Sequence, residues 1–81
     1  MTQKEFLKLY PEGKIKGKWL VYGGDLICYN NQLKELPDNL KVSDNLDCSF
    51  NHIKELPDNL KVGGRLNYSF NQIKESAYKI N

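Results

Sequence analysis

Cysteine occurs twice in this chain of 81 residues, and histidine and tryptophan once each. Two cysteines cannot build the disulfide framework of a small secreted domain. With a single histidine they also fall short of the four Cys or His ligands that a structural zinc site usually takes. No stretch approaches the roughly 20 apolar residues of a membrane span, and the start, Met1-Thr2-Gln3-Lys4-Glu5-Phe6-Leu7-Lys8, lacks the apolar segment of a secretion signal. These absences predict a cytoplasmic chain with no cofactor, no metal and no membrane partner. A large excess of one charge is missing too: 12 basic residues stand against 10 acidic ones, net +2, which argues against an acidic mimic of DNA. The length fits one domain. A chain this short buries only about 60–65% of its unfolded surface, so without staples it must rely on very regular packing.

Regularity is what the sequence holds in abundance. Leu36-Pro37-Asp38-Asn39-Leu40-Lys41-Val42 returns unchanged as Leu56-Pro57-Asp58-Asn59-Leu60-Lys61-Val62, an offset of 20. The same spacing relates Leu26, Leu46 and Leu66; Asn31, Asn51 and Asn71; Leu33, Ile53 and Ile73; and the Lys-Glu pairs 34-35, 54-55 and 74-75. A fixed period of this length marks stacked units that cannot bury their apolar faces alone. Within one unit, Ser43-Asp44-Asn45 reads as a turn, and the glycines that replace its first two residues, Gly23-Gly24 and Gly63-Gly64, predict left-handed backbone there. Leu46-Asp47-Cys48-Ser49 alternates as a strand, with Leu46 and Cys48 inward and Asp47 and Ser49 on the outer face of one parallel sheet. Asn51 is placed to bond the backbone of the adjacent coil. Ile53 and Leu56 enter the core, Pro57-Asp58-Asn59 turns the chain, and Leu60 and Val62 close the coil.

The unit Leu-Pro-x-x-Leu-x-Val-x-x-x-Leu-x-Cys-x-x-Asn-x-Ile-Lys-Glu resembles the short leucine-rich repeats of bacterial effector proteins, and is similar to the Leu-Pro-x-x-Leu-x-Val-Gly-Gly coils of bacteriophage and prophage proteins. The resemblance covers residues 20–81, about three coils. It implies a miniature α/β leucine-rich-repeat-like solenoid, with an all-β solenoid as the alternative because Cys28, Cys48 and Tyr68 stand where leucine is usual. Such repeats are binding scaffolds without a shared chemistry.

Residues 1–19 depart from the repeat and read as a cap. Thr2 and Glu5 fit a capping box, Phe6, Leu9 and Tyr10 fall on one helical face, and Pro11 with Gly13 ends the helix. Residues 14–22 read as a strand, with Trp19 covering the open core of the first coil. At the other end Leu56-Pro57 is replaced by Ser76-Ala77, while Ile80 keeps the Leu60 slot, as in a terminal coil made polar.

Cys28 and Cys48 share one repeat slot with Tyr68, so buried reduced thiols are expected rather than a disulfide or ligand pair. His52 reads as a solvated turn residue with no nucleophile or metal beside it. The Lys34/Lys54/Lys74 and Glu35/Glu55/Glu75 columns read as solvated surface. Lys14, Lys16 and Lys18 belong to a segment, residues 1–18, with five lysines and two glutamates; the patch either meets nucleic acid or an acidic protein, or keeps a sheet edge from pairing, the latter being preferred. The sheet face is predicted to present Asp25, Ile27 and Tyr29, then Asn45, Asp47 and Ser49, then Arg65, Asn67 and Ser69. In leucine-rich repeats the next position usually faces out, which makes Phe50 and Phe70 an exposed aromatic strip with Tyr29 and Ile27; the preferred alternative is that both rings turn inward as a packing spine.

The expected function is a non-catalytic protein-recognition module, with Ile27, Tyr29, Asp47, Phe50, Arg65, Asn67 and Phe70 as candidate contacts. The resemblance to phage coils implies a phage-encoded factor that binds and blocks a host protein, such as a defence nuclease complex, in the host cytoplasm. The alternatives are a nucleic-acid binder using Lys14, Lys16 and Lys18, and a homo-oligomer joined through the sheet edge of the C-terminal coil.

Overall fold

Thr2 opens the chain's first element as the sequence predicts. In the computed structural model, which describes residues 1–73, α1 spans Gln3–Leu9. The Thr2 hydroxyl accepts from the Glu5 N–H at 3.1 Å, and the Glu5 carboxylate accepts from the Thr2 N–H at 2.7 Å, which completes the box. That backbone bond holds the Glu5 carboxyl below its usual range. The helix ends where Tyr10 N–H donates to the Phe6 carbonyl at 2.9 Å, just before Pro11. Phe6 is fully buried, with its ring 4.9 Å from that of Tyr10 and edge-on to Tyr22 at 6.0 Å. Leu9, expected on the same face, is 55% exposed; in so short a helix Phe6 and Tyr10, four residues apart, hold the inward side.

Residues 14–22 form a hairpin rather than one strand. β1 (Lys14–Lys16) runs antiparallel to β2 (Trp19–Tyr22), Lys14 opposite Val21 and Lys16 opposite Trp19. The two-residue turn is Gly17-Lys18, with Gly17 at φ +60°, the glycine-first arrangement that matches strand twist. Along β2, Leu20 and Tyr22 are buried while Trp19 and Val21 look outward. Trp19 therefore does not cover the core; Phe6, Tyr10 and Tyr22 do, and the Tyr22 hydroxyl donates to the Tyr10 carbonyl at 2.6 Å.

Beyond the hairpin every pairing is parallel and offset by one repeat. β2 pairs β4 (Leu40–Val42), and β4 pairs β6 (Lys61–Val62), with Tyr22, Val42 and Val62 in register. A second sheet pairs β3 (Leu26–Ile27), β5 (Leu46–Asp47) and β7 (Leu66–Asn67) through Leu26, Leu46 and Leu66. The periodicity predicted one sheet; each unit supplies a strand to two, because the turn after Val42 bends the chain between Leu40–Val42 and Leu46–Asp47. The described fold is thus a small α/β structure with one short helix and two largely parallel sheets, orders β1-β2-β4-β6 and β3-β5-β7, neither closed into a barrel.

Both sheets face one apolar core: Leu20, Leu40 and Val42 from the first, Leu26, Cys28, Leu46 and Cys48 from the second, with Leu33, Leu36, Ile53 and Leu56 from the return segments. Burial fades along the stack. Leu60 and Val62 are half-buried and Leu66 is 36% exposed. Cys28 and Cys48 are free and buried, and burial pushes both thiols up to about 12.

Asparagine carries the bends. The Asn51 amide donates to the carbonyls of Cys28, Cys48 and Ser49 at 2.9–3.1 Å, and its carbonyl accepts from Asn31 and Leu33 N–H. Asn71 donates to Cys48, Tyr68 and Ser69 carbonyls and accepts from Ile53 N–H. Asn31, with no earlier coil beneath it, donates instead to the Tyr10 hydroxyl at 2.7 Å. Among the described residues no buried side-chain polar atom lacks a partner. The paired glycines do not adopt the left-handed backbone predicted for them. Gly63 and Gly64 answer a different need: a Cβ there would run into the backbone of Ser43 and Asp44, whereas at Gly23 and Gly24 the space is open. Lys74, Glu75, Ser76, Ala77 and Ile80, placed in ladders and a terminal coil by the repeat, lie outside the described residues.

Candidate functional site

The β3-β5-β7 sheet presents the residues expected of it in columns one strand spacing apart. Ile27, Asp47 and Asn67 are register partners; Ile27 is 52% exposed and Asp47 half-buried. Asp25, Asn45 and Arg65 form the preceding column, in which Asp25 accepts from Asn45 N–H at 2.9 Å and Asn45 accepts from Arg65 N–H at 2.7 Å. Tyr29 is exposed in the following column. Ser49, predicted outside beside it, is buried: its hydroxyl and N–H both bond the Asp47 carboxylate, at 2.6 and 3.1 Å, and draw it down onto the strand.

The most unusual geometry follows immediately. Phe50 and Phe70 have φ of +55° and +57°, and the first unit fills the same slot with Asn30 at +56°. The corner is set by the asparagine ladder: Asn51 holds the Cys48 and Ser49 carbonyls just before the slot, and Phe50 N–H donates to the Ser69 carbonyl at 3.0 Å. Asparagine tolerates left-handed backbone; a bulky side chain there is an outlier that costs about 1–2 kcal/mol. The rings nonetheless lie outside, Phe50 54% and Phe70 72% exposed, and stack with centroids 4.4 Å apart and planes 10° from parallel. The inward packing spine preferred from sequence is corrected. Alternation holds along a strand, but Phe50 and Phe70 lie beyond the ends of β5 and β7, and their own left-handed backbone turns their side chains outward.

Lys14, Lys16 and Lys18 do not join this surface. Lys14 and Lys16 lie on β1, at the margin of the other sheet, and Lys18 in its hairpin turn. The structure sets Lys14 in one continuous row with Lys41 and Lys61, two residues not among those expected from sequence: Lys14 opposes Val21, Val21 opposes Lys41 and Lys41 opposes Lys61, while Lys16 opposes Trp19. The repeat spacing alone pairs Lys41 with Lys61; adding Lys14 requires the hairpin. The Lys61 ammonium sits 5.2 Å from the Trp19 ring centroid, a cation–π contact.

His52 is exposed, and its backbone N–H continues the ladder to the Leu33 carbonyl at 2.8 Å. Among the described residues no three His, Cys, Asp or Glu side chains cluster to hold a metal ion, and no helix is long and apolar enough to cross a membrane. Lys34, Glu35, Lys54 and Glu55 line a shallow surface concavity with Asp38 and Asp58. Comparison of the chain with protein-family models, with curated proteins and with solved structures finds no match in any of the three.

Proposed function

We propose that this chain is a non-catalytic recognition module, a solenoid of 20-residue coils that holds Ile27, Tyr29, Asp47, Phe50, Arg65, Asn67 and Phe70 on a rigid surface for a protein partner. Parallel pairing at an offset of one repeat in both sheets supports the solenoid. Its one described helix lies in the cap and, with the two largely parallel sheets, makes the architecture α/β. The observation that carries the function is the Phe50–Phe70 pair. Two large apolar rings occupy, at a cost in backbone energy and in contact with water, a slot that Asn30 fills without either penalty. Strain kept at an exposed site points to a role outside folding, and exposed aromatic side chains are the usual anchors of protein interfaces. Preordered backbone lowers the entropy cost of binding.

The resemblance to phage coils supports a host protein as that partner, blocked by occlusion. The test is capture from bacterial lysate with the wild-type chain beside a Phe50→Asn/Phe70→Asn variant, followed by titration with the purified partner. Binding that drops at least tenfold in the folded variant supports the reading, and equal binding by the two chains defeats it.

A further inference from the structure

We propose that the outer face of the β1-β2-β4-β6 sheet binds single-stranded nucleic acid through its phosphates, with Trp19 as the stacking residue. This face is separate from the aromatic strip and does not depend on it. Its four strands hold Lys14, Lys16, Lys41 and Lys61 and no acidic residue, whereas the strands of the other sheet hold Asp47 and no lysine. Lys18 in the hairpin turn adds a fifth cation, so charge is sorted between the two sheets.

Parallel strands stand about 4.8 Å apart, which sets the Cα atoms of Lys41 and Lys61 at roughly that spacing and Lys14 roughly two spacings from Lys41. Like charges placed side by side across strands destabilise a sheet. Among the described residues none of these lysines makes an ion pair. Of the acids that flank β4 and β6 in sequence, Asp38 and Asp58 line the concavity shared with Lys34, Glu35, Lys54 and Glu55, and Asp44, in the turn after β4, makes no ion pair among the described residues. Protection of a sheet edge accounts for Lys14 and Lys16 on β1, but not for Lys41, which lies on the interior strand β4. An anionic ligand accounts for all five.

Trp19 decides the kind of anion. It opposes Lys16 across the hairpin and lies under the Lys61 ammonium, so an aromatic surface sits amid the cations. A row of cations beside an aromatic ring is the arrangement that holds a single strand, phosphates on the lysines and a base on the ring. A duplex keeps its bases stacked inside, and an acidic protein has no use for the ring beyond ordinary contact.

Trp19 is the chain's one tryptophan, so its emission reports on this surface directly. The experiment titrates a 20-nucleotide oligo(dT) into the full chain at increasing salt, with a polyglutamate peptide of equal charge as competitor. The expected result is saturable quenching of Trp19 with a log–log salt slope near −3, about 60-fold weaker binding at 200 mM than at 50 mM, as release of counterions from four to five phosphates dictates. Lys41→Glu/Lys61→Glu, and the milder Lys41→Gln/Lys61→Gln, each checked for an unchanged far-ultraviolet spectrum, should weaken binding at least tenfold and flatten the slope by about 1.4. Phe50→Asn/Phe70→Asn should bind as wild type. Absence of quenching at 20 mM salt, or full binding by the folded lysine variants, overturns the site. Polyglutamate binding as tight as oligo(dT) overturns the assignment to nucleic acid.

Discussion

The ring of Phe70 lies on the ring of Phe50 at 4.4 Å although both residues hold a backbone conformation that suits asparagine or glycine. Stacking returns about 0.5–1.5 kcal/mol for such a pair, which roughly offsets one strained residue and leaves the second uncompensated. Replacement should reveal this. Phe70→Asn and Phe70→Gly are expected to be about 1 kcal/mol more stable than Phe70→Ala, because Ala keeps the Cβ penalty without asparagine's local hydrogen bonding. Urea unfolding of the three variants checks the order. A loss of about 3–5 kcal/mol in all three would instead mark a core position.

Asn51 and Asn31 share a repeat slot but differ in what they hold. Asn51 bonds three carbonyls and two N–H groups, whereas among the described residues the Asn31 side chain reaches only the Tyr10 hydroxyl. Removal of a buried partner leaves several backbone groups unsatisfied, at about 1–3 kcal/mol each where water cannot replace it. Asn51→Ala should therefore lose about 3–5 kcal/mol in chemical denaturation, against about 1 kcal/mol for Asn31→Ala. Equal losses would show that the ladder is not what holds the bends.

Burial pushes the thiols of Cys28 and Cys48, and likewise the Tyr22 hydroxyl, up to about 12. The unfolded chain releases these protons at lower pH than the folded one, so between the ordinary thiol range and about pH 12 the folded state binds more protons, and stability falls as pH rises. The urea midpoint should be level from pH 7 to 8 and decline steadily above 9. At pH 8 a thiol reagent should label neither cysteine without denaturant, since reaction needs an exposed thiolate; prompt labelling of native protein would contradict the burial.

Gly23 and Gly63 occupy equivalent turns with different surroundings. Gly63→Ala drives a methyl group into the Ser43 carbonyl, while Gly23→Ala meets open space. Overpacking against backbone costs about 1–3 kcal/mol, so Gly63→Ala should lower the thermal midpoint by several degrees and Gly23→Ala should hold it or raise it slightly. Matching midpoints would remove the close approach as the reason for glycine at 63.

The columns of the structure were legible before any coordinates. A spacing of 20 set Leu26 against Leu46 and Leu66, placed the buried cysteines in one slot and assigned Asn51 its ladder, because a repeated unit in parallel register can only bring like positions together. The capping box at Thr2 and Glu5 was legible for a similar reason, being settled by residues three apart. Tertiary structure alone decided the rest. Whether Phe50 turned in or out depended on a left-handed corner that the ladder imposes, and strand alternation says nothing about a residue outside the strand. Trp19 alternates with the buried Leu20 and Tyr22 along β2 and so faces outward, while Phe6 from the helix covers the core in its place, a placement set by the packing of the cap. Lys14 joined Lys41 and Lys61 only because Gly17 folds the cap into a hairpin and adds a non-repeating strand to a repeating sheet. Repetition determines which residues are neighbours along the stack, whereas the packing of the cap and the bends between strands determine which side of each neighbour meets water.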